Sequence, residues 1–362
     1  MAIYQFLIAT QGFAKSGIPG VSELRDSDGN LTGHLVGLFH RTVQFMEQGV
    51  KPIWVFDGKA PDLKADELEK RAALKEKAEE EKKEAEAAGD MERAKQLAGR
   101  SIRITKEMMA DAKKLVKLLG VPMIEAPSEA EAQCAEMVKM GLAFGTGTED
   151  MDALTFGSKY LLRGFNSKKE DITQIHLDEV LEGFGMNMDE FIDLCIMCGC
   201  DYTHTIGGIG PVKAFKLIEE HKNIEKCLEV IREQNADPNK KQKFIMPESF
   251  LYAESRQIFK EPEVIRDKEE LEAQLKWSKP DSEALKAFLV EEKAFAENKV
   301  SSGLTKLQNC QGKVNQSRLD LFFKSAGVQS STQSKVKGAK GGKAAAAGAK
   351  RGQSAGRGRG RK

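Results

Sequence analysis

The sequence predicts an α/β fold in which helices flank a central, mostly parallel sheet, with a charged helical hairpin on one side and a disordered C-terminal tail. Three observations predict it. Short apolar segments with strand character run out into carboxylates, as Ile53–Phe56 does into Asp57-Gly58 and Leu142–Thr148 does into Asp150 and Asp152. Open parallel sheets place their sites at such carboxyl ends. Between these segments lie stretches of helical apolar periodicity, and residues 62–100 are mainly Glu, Ala and Lys with few core-forming residues.

In chain order, Tyr4 to Ala9 reads as the first turns of a buried helix, and Gln11 to Asn30 as loop. The stretch from Met1 lacks the basic region and cleavage site of a secretory signal. His34 to Gln48 carries Leu35, Leu38, Phe39, Val43 and Met46 on one helical face. Residues 62–100 have helix propensity without a wide apolar face, and a turn is expected near Ala88-Gly89-Asp90. That pattern fits a solvated hairpin, and equally a mobile arch whose cations grip phosphates. Thr105 to Leu119 is a helix with Met108, Ala112, Leu115 and Leu119 inward. Val121 to Glu125 is a strand entry, Ser158 to Phe165 a strand, Leu177 to Gly185 and Met188 to Cys200 helices.

The chain of 362 residues is long enough for one or two domains. No apolar run approaches the ~18 residues of a membrane span, so no membrane association is expected. The six cysteines lack framework spacing, which makes a reduced intracellular compartment the default. Net charge is +1, but the balance is uneven. Lys324 to Lys362 holds eleven Lys and Arg and no acid. Taking those from totals of 56 basic and 55 acidic residues leaves 45 against 55, a charge of −10 for residues 1–323. An acidic body with a basic tail suggests a site that gathers cations and a tail that meets nucleic acid or an import receptor.

The acids carry the chemistry. Glu129 with Glu131, and Asp150 with Asp152, sit among residues that favour burial. Crowded carboxylates in a half-apolar setting repel one another and lose hydration. A hard divalent cation neutralises them, and Mg²⁺ prefers a few carboxylates plus waters and substrate phosphates. Ser128 reads as a helix N-cap with Glu131 three residues on, a capping box, so a capping role for Glu131 stands beside the metal role. Asp57-Gly58 is also ordinary turn chemistry.

After Asp201, Thr205-Ile-Gly-Gly-Ile-Gly-Pro-Val-Lys-Ala is a glycine-rich turn anchored by Ile206 and Ile209. It leads into a helix with Lys213 and Lys216. Such a turn lets backbone and a helix N-terminus approach phosphate, a contact that positions DNA without reading its sequence. Cys195, Cys198 and Cys200 have no second ligand pair beyond His204, so buried thiols are expected there and not zinc. Residues 223–310 read as mostly helical, interrupted at Pro247 and Pro262. Gln316-Ser-Arg-Leu-Asp-Leu-Phe-Phe then reads as a one-turn helix that plugs a hydrophobic pocket. The Gly, Ala, Lys and Arg that follow are expected to be disordered.

Together these features resemble the structure-specific 5′ nuclease family of flap endonucleases, from Ile3 to about Lys324. The motifs are Val55-Phe-Asp-Gly-Lys, Ala126-Pro-Ser-Glu-Ala-Glu-Ala, Thr148-Glu-Asp-Met-Asp, Gly199-Cys-Asp-Tyr and the octapeptide from Gln316. The resemblance implies a PIN-like α/β nuclease with a helical arch and a helix-hairpin DNA-binding element. It implies that Asp57, Glu129, Glu131, Asp150, Asp152 and Asp201 hold two Mg²⁺ ions, and that Lys64 and Arg71 meet the scissile phosphate. It also implies DNA contacts at Tyr4, Arg41, Glu129, Gly199, Asp201, Thr205, Gly208, Gly210 and Lys213, with K⁺ at the hairpin. Gln316, Leu319, Phe322 and Phe323 resemble a ligand of the sliding clamp PCNA.

The implied division is 1–76 and 94–222 as nuclease regions, 77–93 as the rest of the arch, 223–315 as a helical region, 316–324 as clamp motif and 325–362 as tail. The implied activity is cleavage at the base of 5′ flaps, with 5′–3′ exonuclease activity, in replication (Okazaki fragment maturation) and base excision repair. The implied setting is a free monomer in the nucleus, including nucleolus and nucleoplasm, and in mitochondria.

Four departures from the family pattern go with this. Members carry a first strand and a further acid just ahead of the Ile-Tyr-Gln-Phe-Leu segment, where this chain begins, so both are expected to be missing. The arginine that members carry after the Tyr4 helix is not found, one arch basic position is Leu74, and Gly207 stands where some members have arginine. A cleavage-deficient form that binds branched DNA and the clamp is the alternative expectation.

Overall fold

The computed structural model describes residues 2–11, 24–165, 172–239 and 243–311. Two units are distinguished, Met1–Phe323 and Lys324–Lys362, and the second lies wholly outside the described residues. So does the octapeptide with Gln316, Leu319, Phe322 and Phe323.

The first elements are α1 (Ala2–Gln11) and α2 (Gly33–Glu47), followed by β1 (Trp54–Phe56). The five residues expected on one face of α2 are all buried. They form a core with Ala112, Leu115 and Val116 of α5 (Lys106–Leu118) and with Phe288, Leu304 and Leu307 from the C-terminal end. Val116 was not among the inward positions expected for α5, and Met108 is only half-buried.

Between β1 and α5 stand α3 (Ala65–Ala87) and α4 (Met91–Arg100), an antiparallel hairpin. Its turn falls at 88–90, where Gly89 takes φ +76°, and the Asp90 carboxylate accepts from the Arg93 N–H to cap α4.

The strands form two groups. In the first, β1 runs parallel to β2 (Met123–Glu125), with Trp54 opposite Met123. In the second, β3 (Thr146–Gly147) runs parallel to β4 (Tyr160–Arg163), and β4 pairs antiparallel with β5 (Thr173–His176). Helix α6 (Ala130–Lys139) packs on both β1 and β3, and the short α7 (Asp152–Thr155) follows β3. The strand expected from Leu142 is much shorter than its apolar pattern: Leu142 and Ala143 instead pack beside Ile124 and Met137.

A helical half completes the unit: α8 (Leu177–Phe184), α9 (Met188–Cys198), α10 (Pro211–His221), α11 (Ile224–Ala236), α12 (Tyr252–Lys260), α13 (Lys268–Gln274), α14 (Ser282–Lys286) and α15 (Glu297–Gln311). Its core joins Ile192 and Ile196 of α9 to Ile218 of α10, Ile224 and Ile231 of α11 and Phe259 of α12, with Ile206 and Ile209 as the expected anchors of the glycine turn. No helix among the described residues is long and apolar enough to cross a membrane.

Candidate active site

The site begins where β1 ends. Gly58 N–H donates to the Ser128 carbonyl at 2.8 Å and Lys59 N–H to that of Pro127 at 3.1 Å. A Cβ at Gly58 would lie 2.1 Å from the Ala126 carbonyl oxygen, so only glycine permits this approach. The approach sets Asp57 against the start of α6, where its carboxylate accepts from the Ala130 N–H at 2.9 Å. This corrects the capping-box reading. The N-cap residue is Glu129, without a side-chain cap bond, and the orphan donor is served by Asp57 from another element. Glu131 is thereby released from capping, and the Thr148 hydroxyl donates to it at 3.4 Å.

Asp57, Glu129 and Glu131 each offer a carboxylate oxygen, and these lie within 4.8 Å of one another. Asp150, Asp152 and Asp201 line the same cleft of about 270 Å³, so all six predicted acids come to one place. Two come from the segment after β3: the Thr148 hydroxyl accepts from Asp150 N–H, and Asp150 accepts from Asp152 N–H. Asp201 comes from the turn after α9. There Gly199 takes φ +116°, and a Cβ would meet Thr205 Cγ2 at 2.9 Å.

The electrostatics are those of acids in excess. Burial, then the neighbouring Asp57, raises the Glu131 carboxyl above its ordinary range. Burial, then Asp150 and Asp201, pushes Asp152 up to about 7. Two arch cations answer part of that charge. Lys64 Nζ donates to both Glu129 oxygens at 2.9 Å and stands 3.3 Å from Asp201. Burial alone would lower the Lys64 ammonium, but Glu129 and Asp201 outweigh it and hold it above its ordinary value. Arg71 donates to Asp201 at 2.6 Å and to Glu67 at 2.8 Å.

The donor set fits a hard divalent cation. It is all carboxylate oxygen, and the two acids whose charge is opposed by their neighbours are ones a cation would relieve. Cys195, Cys198 and Cys200 are free thiols, and burial pushes Cys195 up to about 12.

The other predicted contacts are spread along the chain. Gly207 forms a backbone bridge with Ile245, 2.7 and 3.0 Å, and its missing side chain leaves room for Ile245 Cβ. Gly208 takes φ +87°, Gly210 caps α10, Thr205 is exposed, and Lys213 Nζ donates to the Gly208 carbonyl at 2.8 Å. Arg41 lies half-buried on α2, 5.8 Å over the Phe45 ring. Tyr4 lies on α1, and its side chain is outside the described residues. Leu68 and Tyr202 are among the lining residues that were not predicted as site residues. Leu68 lies four residues after Lys64 and three before Arg71, a spacing that marks one helix face. Tyr202 follows Asp201, packs edge-on to Phe259 and is 2 % exposed.

Known proteins are similar to this chain over most of its length. A profile described as the XPG N-terminal domain matches residues 1–78, and one described as the XPG I-region matches 120–201. Flap endonuclease 1 of Tetrahymena thermophila is 51% identical over 337 residues, 93% of this chain and 86% of that protein. Flap endonuclease 1 of Nematostella vectensis is 47% identical, covering 90% and 82%. Among solved structures, flap endonuclease-1 from Methanococcus jannaschii superposes with a TM-score of 0.62 at 33% identity, covering 86% of this chain and 90% of that one. The catalytic core of Rad2 in complex with DNA substrate shares the fold, with a TM-score of 0.60 at 24% identity, covering 84% and 90%.

Proposed function

The chain belongs to the flap endonuclease family, and we propose that it is a Mg²⁺-dependent nuclease that cuts 5′ flaps at their base, with 5′–3′ exonuclease activity, in DNA replication and base excision repair. Hydrolysis of phosphodiesters follows from the family itself. The observation that carries the finer reading is the convergence of six carboxylates with Lys64 and Arg71 in one cleft.

Asp57, Glu129 and Glu131 would hold one Mg²⁺, and Asp150, Asp152 and Asp201 would support a second. Bound there, such ions supply an activated water and stabilise the leaving oxygen of an in-line displacement. The protein's own cations have a separate task. A phosphate entering the cleft offers Lys64 and Arg71 anionic oxygens in place of Glu129 and Asp201, which fixes the scissile group against the acids. Leu68, between those cations in sequence, gives the sugar or base an apolar surface.

The glycine turn before α10 would offer backbone and a helix N-terminus to the phosphates of the duplex, and it is the segment that would hold K⁺. Gln316, Leu319, Phe322 and Phe323 would dock the chain on PCNA, and the basic tail would favour a nuclear location, with mitochondria as a second.

The test is cleavage of a labelled double-flap DNA by the purified chain, with Mg²⁺ and with chelator. Metal-dependent incision at the flap base is expected. Asp150→Ala should abolish incision while flap DNA still binds. Incision that survives in Asp150→Ala would sink the metal assignment, and binding without incision in the unaltered chain would favour a branched-DNA binding module.

A further inference from the structure

The arch grips the turn that carries Asp201 along two stripes at the start of α3, the first beginning at its N-cap Lys64, and only that first stripe belongs to the cleft. Lys64 and Arg71 reach Asp201 from the first. Asp66 and Lys70, one helical turn apart, reach His204 from the second: Lys70 Nζ lies 3.1 Å from His204 Nδ1, and Asp66 Oδ2 lies 3.7 Å from His204 Nε2. An ammonium has no lone pair, so Lys70 donates and His204 Nδ1 accepts. The ring proton therefore sits on Nε2, facing the Asp66 carboxylate. One neutral imidazole thus joins a cation and an anion of the arch at once.

The partner is firmly placed. The 200–203 segment closes in a bridge between Cys200 and Thr203, Tyr202 is buried, and the Thr203 hydroxyl accepts from the Leu251 N–H at 2.8 Å. The contact lies in a cleft of about 200 Å³ that shares Asp201 and Tyr202 with the acid cleft and is also walled by Ser249.

We propose that His204 is a positioning residue that fixes the base of the arch over the cleft through Lys70 and Asp66. The inference rests on the nuclease reading above. When Lys64 and Arg71 turn to a phosphate, their hold on Asp201 and Glu129 weakens. The His204 contact uses no group of the acid cleft, so it keeps α3 in register through that exchange. Its side chain is 37% exposed, which makes the contact weak in energy. Its value is in placement, since small displacements of a catalytic group are costly in rate.

The experiment compares His204→Ala, His204→Gln, Lys70→Ala and the His204→Ala/Lys70→Ala double variant in the full chain. Glutamine preserves both roles, accepting from Lys70 and donating to Asp66. Hydrogen exchange over the first turns of α3 in the free protein should speed up in His204→Ala and return to normal in His204→Gln. On flap DNA, His204→Ala should lower kcat by about threefold with KM unchanged. The double variant should be no worse than His204→Ala alone. Normal exchange in His204→Ala, a glutamine variant as defective as alanine, or additive losses would each overturn the proposal. A wild-type chain that does not cut flap DNA would remove the nuclease reading, and the exchange data would still decide the contact.

Discussion

The arch and the helical base face each other across the cleft, and they are held together by different forces. Helices α3 and α4 share a core of Ala78, Ala85, Ala94 and Leu97, three of them alanines. Much of the rest of the hairpin is charged and laced with pairs such as Lys82–Glu86 and Arg93–Glu81. Such pairs are worth about 0–1 kcal/mol each. The base has buried Ile192, Ile196, Ile206, Ile218, Ile224, Ile231 and Phe259. Each such side chain contributes about 1.5–3 kcal/mol by burial. The rigid side therefore carries Asp201, and the loosely built side carries Lys64 and Arg71. On the proposed function, the cations that would trade a carboxylate for a phosphate sit on the element that can move without unfolding the rest.

The sharpest way to break the comparison is at the ion pair that the buried Asp193 makes in the base. Asp193 is 3% exposed and accepts from Arg256 at 2.7 and 2.8 Å and from the Ile224 N–H at 3.1 Å. This joins α9, α11 and α12. Asp193→Ala leaves a buried N–H without a partner and Arg256 with Glu225 alone. The expected loss is about 3 kcal/mol of global stability, the lower end for a broken buried pair because Glu225 remains. Denaturant unfolding measures it. A loss below about 1 kcal/mol would put the base in the same class as the arch.

Leu97→Ala is the matching change in the arch. It removes the largest buried side chain of that hairpin, and a loss of about 2 kcal/mol is expected, confined to α3 and α4. Hydrogen exchange should quicken along both helices while the global unfolding midpoint stays in place. An equal fall in global stability would mean that the hairpin and the base unfold as one unit.

How far the sequence foretold these two parts follows from the range of the forces. Periodicity marks Leu35, Leu38, Phe39, Val43 and Met46, because one helix face needs only local spacing. Composition and Gly89 mark the arch and its turn, and residue type marks the six acids. The capping box failed because the donor at Ala130 is satisfied by Asp57, 73 positions away, which no local pattern contains. The strand β5 went unforeseen because Thr173-Gln-Ile-His holds a single apolar residue. The pairing of Lys70 with His204 spans 134 positions, and Gly207 faces Ile245 only after the chain has folded back. Contacts within a helical turn are legible in one dimension, and contacts that join elements are not.

The smallest expected effect tests the comparison most finely. Arg71 is 47% exposed at its pair with Asp201, whereas the Asp193–Arg256 pair is exposed by 4% and 23%. Screening acts on the first far more than on the second. Between 0.05 M and 0.5 M salt the screening length falls from roughly 14 Å to roughly 4 Å, which removes well under 1 kcal/mol from an exposed pair. Exchange over the first two turns of α3 should therefore rise by about two- to threefold with salt, and exchange in α9 and α11 should stay level. Arg71→Met should remove most of the salt response, because Lys64, 15% exposed, is shielded from the added ions. If α9 and α11 loosen with salt as much as α3 does, charge holds both sides of the cleft and the distinction between a rigid base and a movable arch fails.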